Sequence, residues 1–206
     1  MVAGASRRGG GLRERAKQDK MDRIVRAATK LFGDNGFDRT TTAAISEAAG
    51  IGAGTLFLYF PTKEDLLVRV FREELSRIWD ESFANVAADG PLIDQLTSLF
   101  GHVIDVHERD PELTRAFVKE VMFVSEAGRR GVNQYINRFL DQLAERLELA
   151  QERGALAADV PARALADNLY GLYQHLLQIR YGGYLDLDAL RRRLRTAFEV
   201  QLQGLV

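Results

Sequence analysis

No cysteine occurs anywhere in the 206 residues. That absence excludes a disulfide framework, a thiolate nucleophile and a cysteine-ligated zinc site. Proline is scarce as well, with four residues in all, so helices meet few obligatory breaks. No apolar run approaches the ~18 residues of a membrane span. The N-terminus also lacks the apolar stretch of a secretory signal: Arg7, Arg8, Arg13, Arg15, Lys17 and Lys20 lead straight into an amphipathic segment. The expectation is a cytoplasmic protein with no membrane partner. Histidine is limited to three residues with no His-x-x-x-His or carboxylate cluster, so neither a metal nor a cofactor is expected.

The net charge of −1 hides an asymmetry. The first thirty residues hold nine basic side chains against three acidic ones, and residues 76–206 are net acidic. A basic end on an acidic chain fits a local anionic partner or a solvated tail.

Alternating β-pattern is absent, and helical periodicity runs almost throughout. Residues 1–16, rich in Gly, Ala, Ser and Arg, read as a flexible basic arm. Met21, Ile24, Ala28, Leu31 and Phe32 form the stripe of a first helix that ends near Gly36. Thr40-Thr41-Thr42 supplies an N-cap for a short second helix, Gly50 ends it, and a third runs from about Gly54 to Phe60. Pro61-Thr62 stops that helix and caps the next. Stripes through Leu66–Phe83, Leu92–Val103, residues 112–125, Val132–Leu147, 161–181 and 187–204 follow. The reading is an all-α chain of about nine helices: an arm over 1–16, a helix-turn-helix domain over 17–62 and a helical domain over 63–206.

The segment Thr41–Phe60 fits a helix-turn-helix. Two short helices crossing steeply need a turn residue that accepts positive φ, with small and apolar residues at the contact. Gly50 sits at the turn, Ile45, Ser46 and Ala49 before it, Ile51, Leu56 and Tyr59 after it. An ordinary αα-hairpin would show the same spacing.

The run AATKLFGDNGFDRTTTAAISEAAGIGAGTLFLYFPTKEDLL (Ala27–Leu67) resembles the N-terminal DNA-binding domain of the tetracycline-repressor (TetR) family, over about residues 18–68. The resemblance implies a ligand-responsive transcriptional regulator, most often a repressor. It would bind a palindromic double-stranded DNA operator as a homodimer, and a small-molecule effector would release it. It also implies contacts. Thr41 or Thr42 resembles the phosphate-contacting threonine, Lys63 the backbone-contacting lysine, and Gly52, Ala53, Gly54, Thr55, Phe57 and Tyr59 lie on or beside the recognition helix. Tyr59 is either a phosphate ligand or a core ring.

Three departures stand out. Phe57 replaces the usual phosphate-binding Tyr, Ala53 a frequent Lys, and Ala43 an occasional base-reading Arg. The recognition helix therefore carries no Arg, Lys, Asn or Gln for bidentate base contact. Phosphate contacts, and an arm carrying Arg7, Arg8, Arg13 and Arg15, are expected to supply more of the affinity. The alternative is a dimeric small-molecule-binding module with weak or lost DNA specificity. A helical enzyme has no support: no nucleophile–base pair, phosphate loop or carboxylate dyad stands out.

In the second half, Trp79, Phe83, Phe100, Phe123, Tyr135, Phe139 and Tyr173 are either core or pocket wall, with Asn168 and His175 as polar groups on an apolar stripe. No Arg or Lys is evident within these stripes, so an apolar or weakly polar effector is expected. Leu169, Leu172, Leu176 and Ile179, with Leu190, Leu194, Ala197, Phe198, Leu202 and Leu205, read as a dimer-forming surface on the last two helices.

Overall fold

The computed structural model describes residues 8–86 and 89–206, with the side chains of residues 8–10 and 12 outside that description. Among the described residues the chain is helical throughout: α1 Arg8–Asn35, α2 Thr42–Ala48, α3 Ala53–Tyr59, α4 Lys63–Asn85, α5 Leu92–His107, α6 Pro111–Glu120, a single 3-10 turn Val121–Phe123, α7 Glu126–Glu152, α8 Ala162–Tyr181 and α9 Leu187–Leu202.

Local chemistry explains most of these boundaries. Thr41, Thr62, Asp110, Ser125 and Asp186 each accept a hydrogen bond from a main-chain N–H in the first turn of the helix they cap. The turn between α2 and α3 is a Schellman motif: the Gly50 N–H donates to the Glu47 carbonyl at 3.0 Å and the Ile51 N–H to Ser46 at 3.0 Å. Closing it needs the φ of +65° at Gly50.

One boundary differs from the sequence reading. Of the segment 1–16 assigned to an arm, residues 1–7 lie outside the described residues, and 8–16 are the opening turns of α1. Ile24, Val25, Ala28 and Phe32 are buried and anchor the helix. Adding further turns costs little once a helix is nucleated, because each residue gains one hydrogen bond. Every described side chain from Gly11 to Lys20 is exposed.

Ile45, Leu56, Phe32 and Leu66 are all 0–1% exposed and join α1, α2, α3 and α4 in one core. Helix α4 continues from that head into the second half, packing against α5, α6 and α7. There Trp79, Phe100, Phe139, Tyr173 and Phe198 interlock with edge-on and tilted ring contacts, such as 5.1 Å between the Phe100 and Phe198 centroids. Each such side chain removed from water contributes about 1.5–3 kcal/mol.

The dimer face also needs correction. Leu169, Leu190, Leu194, Phe198 and Leu202 are 0–3% exposed within one chain. They belong to the chain's own core, because α8 packs between α7 and α9 while α9 packs on α5 as well, which turns both stripes inward. What α8 and α9 leave outward is a groove lined by Leu172, His175, Leu176, Arg192, Ala197 and Val200. No helix of the described residues is long and apolar enough to cross a membrane.

Candidate functional site

Two places concentrate function-bearing residues. The first is the surface formed by α2 and α3. Thr41 is exposed at the N-cap of α2, its Oγ1 accepting from the Ala44 N–H at 3.1 Å, and Thr42 opens the helix half-buried. Gly52, Ala53 and Gly54 are exposed at the start of α3, where free N–H groups and the positive end of the helix meet solvent. Phe57 is 48% exposed and Leu58 85%. Thr55 and Tyr59 are half-buried, and the Tyr59 ring packs against the core.

Lys63 occupies a more structural position than the resemblance implies. Its ammonium donates to the Phe37 carbonyl at 2.9 Å and the Thr40 carbonyl at 3.2 Å. It also lies 4.1 Å from the centre of the Phe37 ring. The first residue of α4 thereby ties down the α1–α2 loop. An ammonium has three donors, and two are spent here.

The second place is a cavity of about 380 Å³ bounded by α4, α5, α6, α7 and α8. Of the residues proposed from the sequence, Trp79, Tyr135 and Tyr173 line it. The others do not. Phe100 and Phe139 are buried in the ring cluster, and Phe83 packs on Phe139 at 5.7 Å. Phe123 is 72% exposed. Asn168 faces solvent, and His175 lies on the α8–α9 groove. All of them sit on apolar stripes, and only the packing of neighbouring helices decides which stripe meets empty space.

The cavity also contains groups that sequence reasoning missed. His107 is 2% exposed and its Nε2 lies 2.8 Å from the Tyr173 hydroxyl. Burial lowers its pKa to about 4, so it is neutral at pH 7. Burial likewise raises the phenols of Tyr135 and Tyr173, and that of Tyr170 to about 12. Trp79 Nε1 donates to the Tyr135 hydroxyl and Gln174 to that of Tyr170. These His, Tyr, Trp and Gln groups are thus neutral and hydrogen-bond in pairs, while His107 Nδ1 is buried without a partner.

Arg72 and Arg129 line the same cavity, which overturns the expectation that no cation lies within the stripes. The signal was present: Val68, Arg72, Leu75 and Trp79 recur at the spacing of one helix face, as do Arg129, Val132, Asn133 and Ile136. Desolvation, reinforced by Arg69, lowers the Arg72 pKa, with Glu73 opposing. Arg129 is exposed and donates through Nη1 to the Val124 carbonyl at 3.1 Å.

Comparison with known proteins decides the family. Residues 24–70 match bacterial regulatory proteins of the tetR family. The transcriptional repressor KstR of Rhodococcus jostii is 30% identical over 145 residues, covering 70% of this chain and 67% of that protein. The chain belongs to the TetR family. It spans 64% and 59% of the KstR repressors of Mycolicibacterium smegmatis and Mycobacterium tuberculosis. The fatty acid metabolism regulator protein of Bacillus subtilis is 21% identical over 75% of this chain and 80% of its own. Among solved structures, Thermus thermophilus FadR, a TetR family repressor in complex with lauroyl-CoA, superposes with a TM-score of 0.74 at 25% identity, covering 90% of this chain and 94% of that one. The helix-turn-helix of α2 and α3 is therefore the DNA-binding motif of a TetR family transcriptional regulator, followed by the helical domain of that fold.

Proposed function

We propose that this TetR family chain is a repressor that binds a palindromic operator as a homodimer and leaves it when an acyl-coenzyme A fills the α4–α8 cavity. Residues 17–62 act as the DNA-binding head, and 63–206 as the effector-binding and dimerisation domain. The observation that carries the effector assignment is the cavity's composition: aromatic and aliphatic walls with two arginines in the lining, in a fold shared with a lauroyl-CoA-binding repressor. A volume of about 380 Å³ is that of a small-molecule pocket and suits an acyl chain, leaving the nucleotide part outside.

On the DNA side, Thr41, Thr42 and Tyr59 reach phosphates, and Lys63 offers its remaining N–H to another. Gly52, Ala53, Gly54, Thr55 and Phe57 lie along base edges, where apolar contact reads thymine methyl groups. The α8–α9 groove with Leu172 and exposed Val200 is the surface for the second protomer. Two symmetric heads call for an inverted repeat. Release requires the effector to bind the DNA-incompetent arrangement more tightly than the competent one. The protein works where the DNA is, in the cytoplasm, and catalyses nothing.

Selection from a randomised duplex pool tests this reading: it should enrich an inverted repeat, and lauroyl-CoA should release it in a gel shift. Enrichment of no sequence, with lauroyl-CoA still binding, would instead favour a binding module of lost DNA specificity, the reading that the bare α3 supports.

A further inference from the structure

Arg72 is a cation in an awkward place. Its guanidinium is partly withdrawn from water, and the carboxylate next to it in sequence, Glu73, pairs with Arg69 at 2.5 Å. Among the described residues no carboxylate pairs with Arg72 or with Arg129. Both belong to one cavity wall: Arg72, on α4, rests against α7 at Gly131, where a Cβ would overlap its Nη1, and Arg129 lines the same cavity from the first turn of α7. Both line a cavity whose other walls are apolar rings, aliphatic chains and neutral hydrogen-bonding groups.

Two guanidiniums without an ion-pair contact, beside an apolar space, are suited to a planar or tetrahedral oxyanion, which each can hold bidentately. Met122, 74% exposed, also lines this cavity, so Arg129 and Met122 mark its open side. Resting on the acyl-effector reading above, we infer that Arg72 and Arg129 form an anion subsite at the mouth of the cavity. The effector is then an amphiphile whose chain lies inside and whose carboxylate or phosphate is held outside, and an uncharged chain of equal length is rejected. A neutral head would leave the half-buried Arg72 without a partner, which is the costly outcome.

Trp79 is the sole tryptophan and lies in the cavity wall, so its fluorescence reports occupancy. The probes are lauroyl-CoA, laurate and dodecanol, titrated into the full chain and into Arg72→Gln and Arg129→Gln, with operator release followed in parallel. Wild type should bind the two anions at least tenfold more tightly than dodecanol. Both variants should lose that preference: each binds the two anions more weakly, and Arg72→Gln, which no longer strands a charge, also binds dodecanol more tightly. Raising ionic strength from about 0.05 to about 0.5 M should weaken laurate and leave dodecanol unchanged. Should Arg72→Gln fail to fold by circular dichroism, Arg129→Gln, an exposed position, carries the test.

The subsite is overturned if dodecanol binds and releases operator as well as laurate, an outcome that leaves the acyl reading intact. It is equally overturned if the folded variants keep the anion preference. If none of the three probes quenches Trp79 or releases DNA, the acyl reading falls and the subsite with it. The laurate and lauroyl-CoA arms separate a carboxylate head from a phosphate one.

Discussion

Asp65 Oδ1 accepts two hydrogen bonds from Ser125, one from its N–H at 3.0 Å and one from its hydroxyl at 2.9 Å. The same hydroxyl caps α7 by accepting from the Gly128 N–H at 3.2 Å. The buried carboxylate of Asp65 therefore joins the first turn of α4, next to the DNA-binding head, to the start of the helix that carries Arg129. The approach is tight, since a Cβ at Gly128 would overlap Oδ1.

Replacing Asp65 with Ala should cost about 1–3 kcal/mol, the penalty for leaving the half-buried N–H and hydroxyl of Ser125 without their acceptor. In a chain of this size each kcal/mol lowers Tm by about 2–4 °C. Gly128→Ala, which pushes the same carboxylate away, should act in the same direction. Both variants are also expected to bind operator more weakly, because the link that positions α4 is loosened. Thermal melting and gel shift check the pair, and unchanged Tm in both would remove the link from consideration.

Gly50→Ala is expected to weaken DNA binding through the turn. Its φ of +65° costs an L-residue about 1–2 kcal/mol, although a methyl group there would meet nothing closer than Arg23 at 3.6 Å. The penalty is thus conformational rather than steric. Gly50→Asn, which tolerates the left-handed region better, should recover part of the lost Tm.

Lys63→Ala separates two roles. Loss of its bonds to Phe37 and Thr40 should lower Tm. If its third donor also meets a phosphate, the slope of log affinity against log salt should fall by about one per site. A lower Tm with an unchanged slope assigns Lys63 to the loop alone.

His107 predicts an acid limit to stability. Its folded pKa, about 4, lies below the 6.5 of a free imidazole because burial disfavours the charged ring. Between those values the unfolded chain holds the extra proton. The stabilisation is therefore complete above about pH 6.5 and is lost as pH falls toward 4, by up to about 3 kcal/mol. Melting curves across this range should show a steeper acid decline for wild type than for His107→Asn, which stays neutral and keeps a hydrogen-bonding group beside Tyr173. Parallel curves would show that His107 carries none of the dependence.

The local grammar of this protein is legible in its residues. Caps at Thr41, Thr62 and Ser125, the Gly50 turn and the helical stripes depend on neighbours within one or two turns, so periodicity and side-chain chemistry suffice to place them. The resemblance over Ala27–Leu67 added the family for the same reason, since the head is built from short-range contacts. Tertiary packing decided the rest. Phe100, Phe139 and Tyr173 look alike as apolar-stripe residues, yet only Tyr173 reaches the cavity, because α5 and α7 press the other two rings against α8 and α9. Leu169, Leu190 and Phe198 read as a dimer face until the placing of α8 and α9 turned them inward. Arg72 and Arg129, far apart in sequence, line one cavity only because α4 packs against α7, where Gly131 leaves room for the Arg72 side chain. Side-chain type and spacing determine which face of a helix is apolar; what that face meets, core, cavity or solvent, is a property of the other helices.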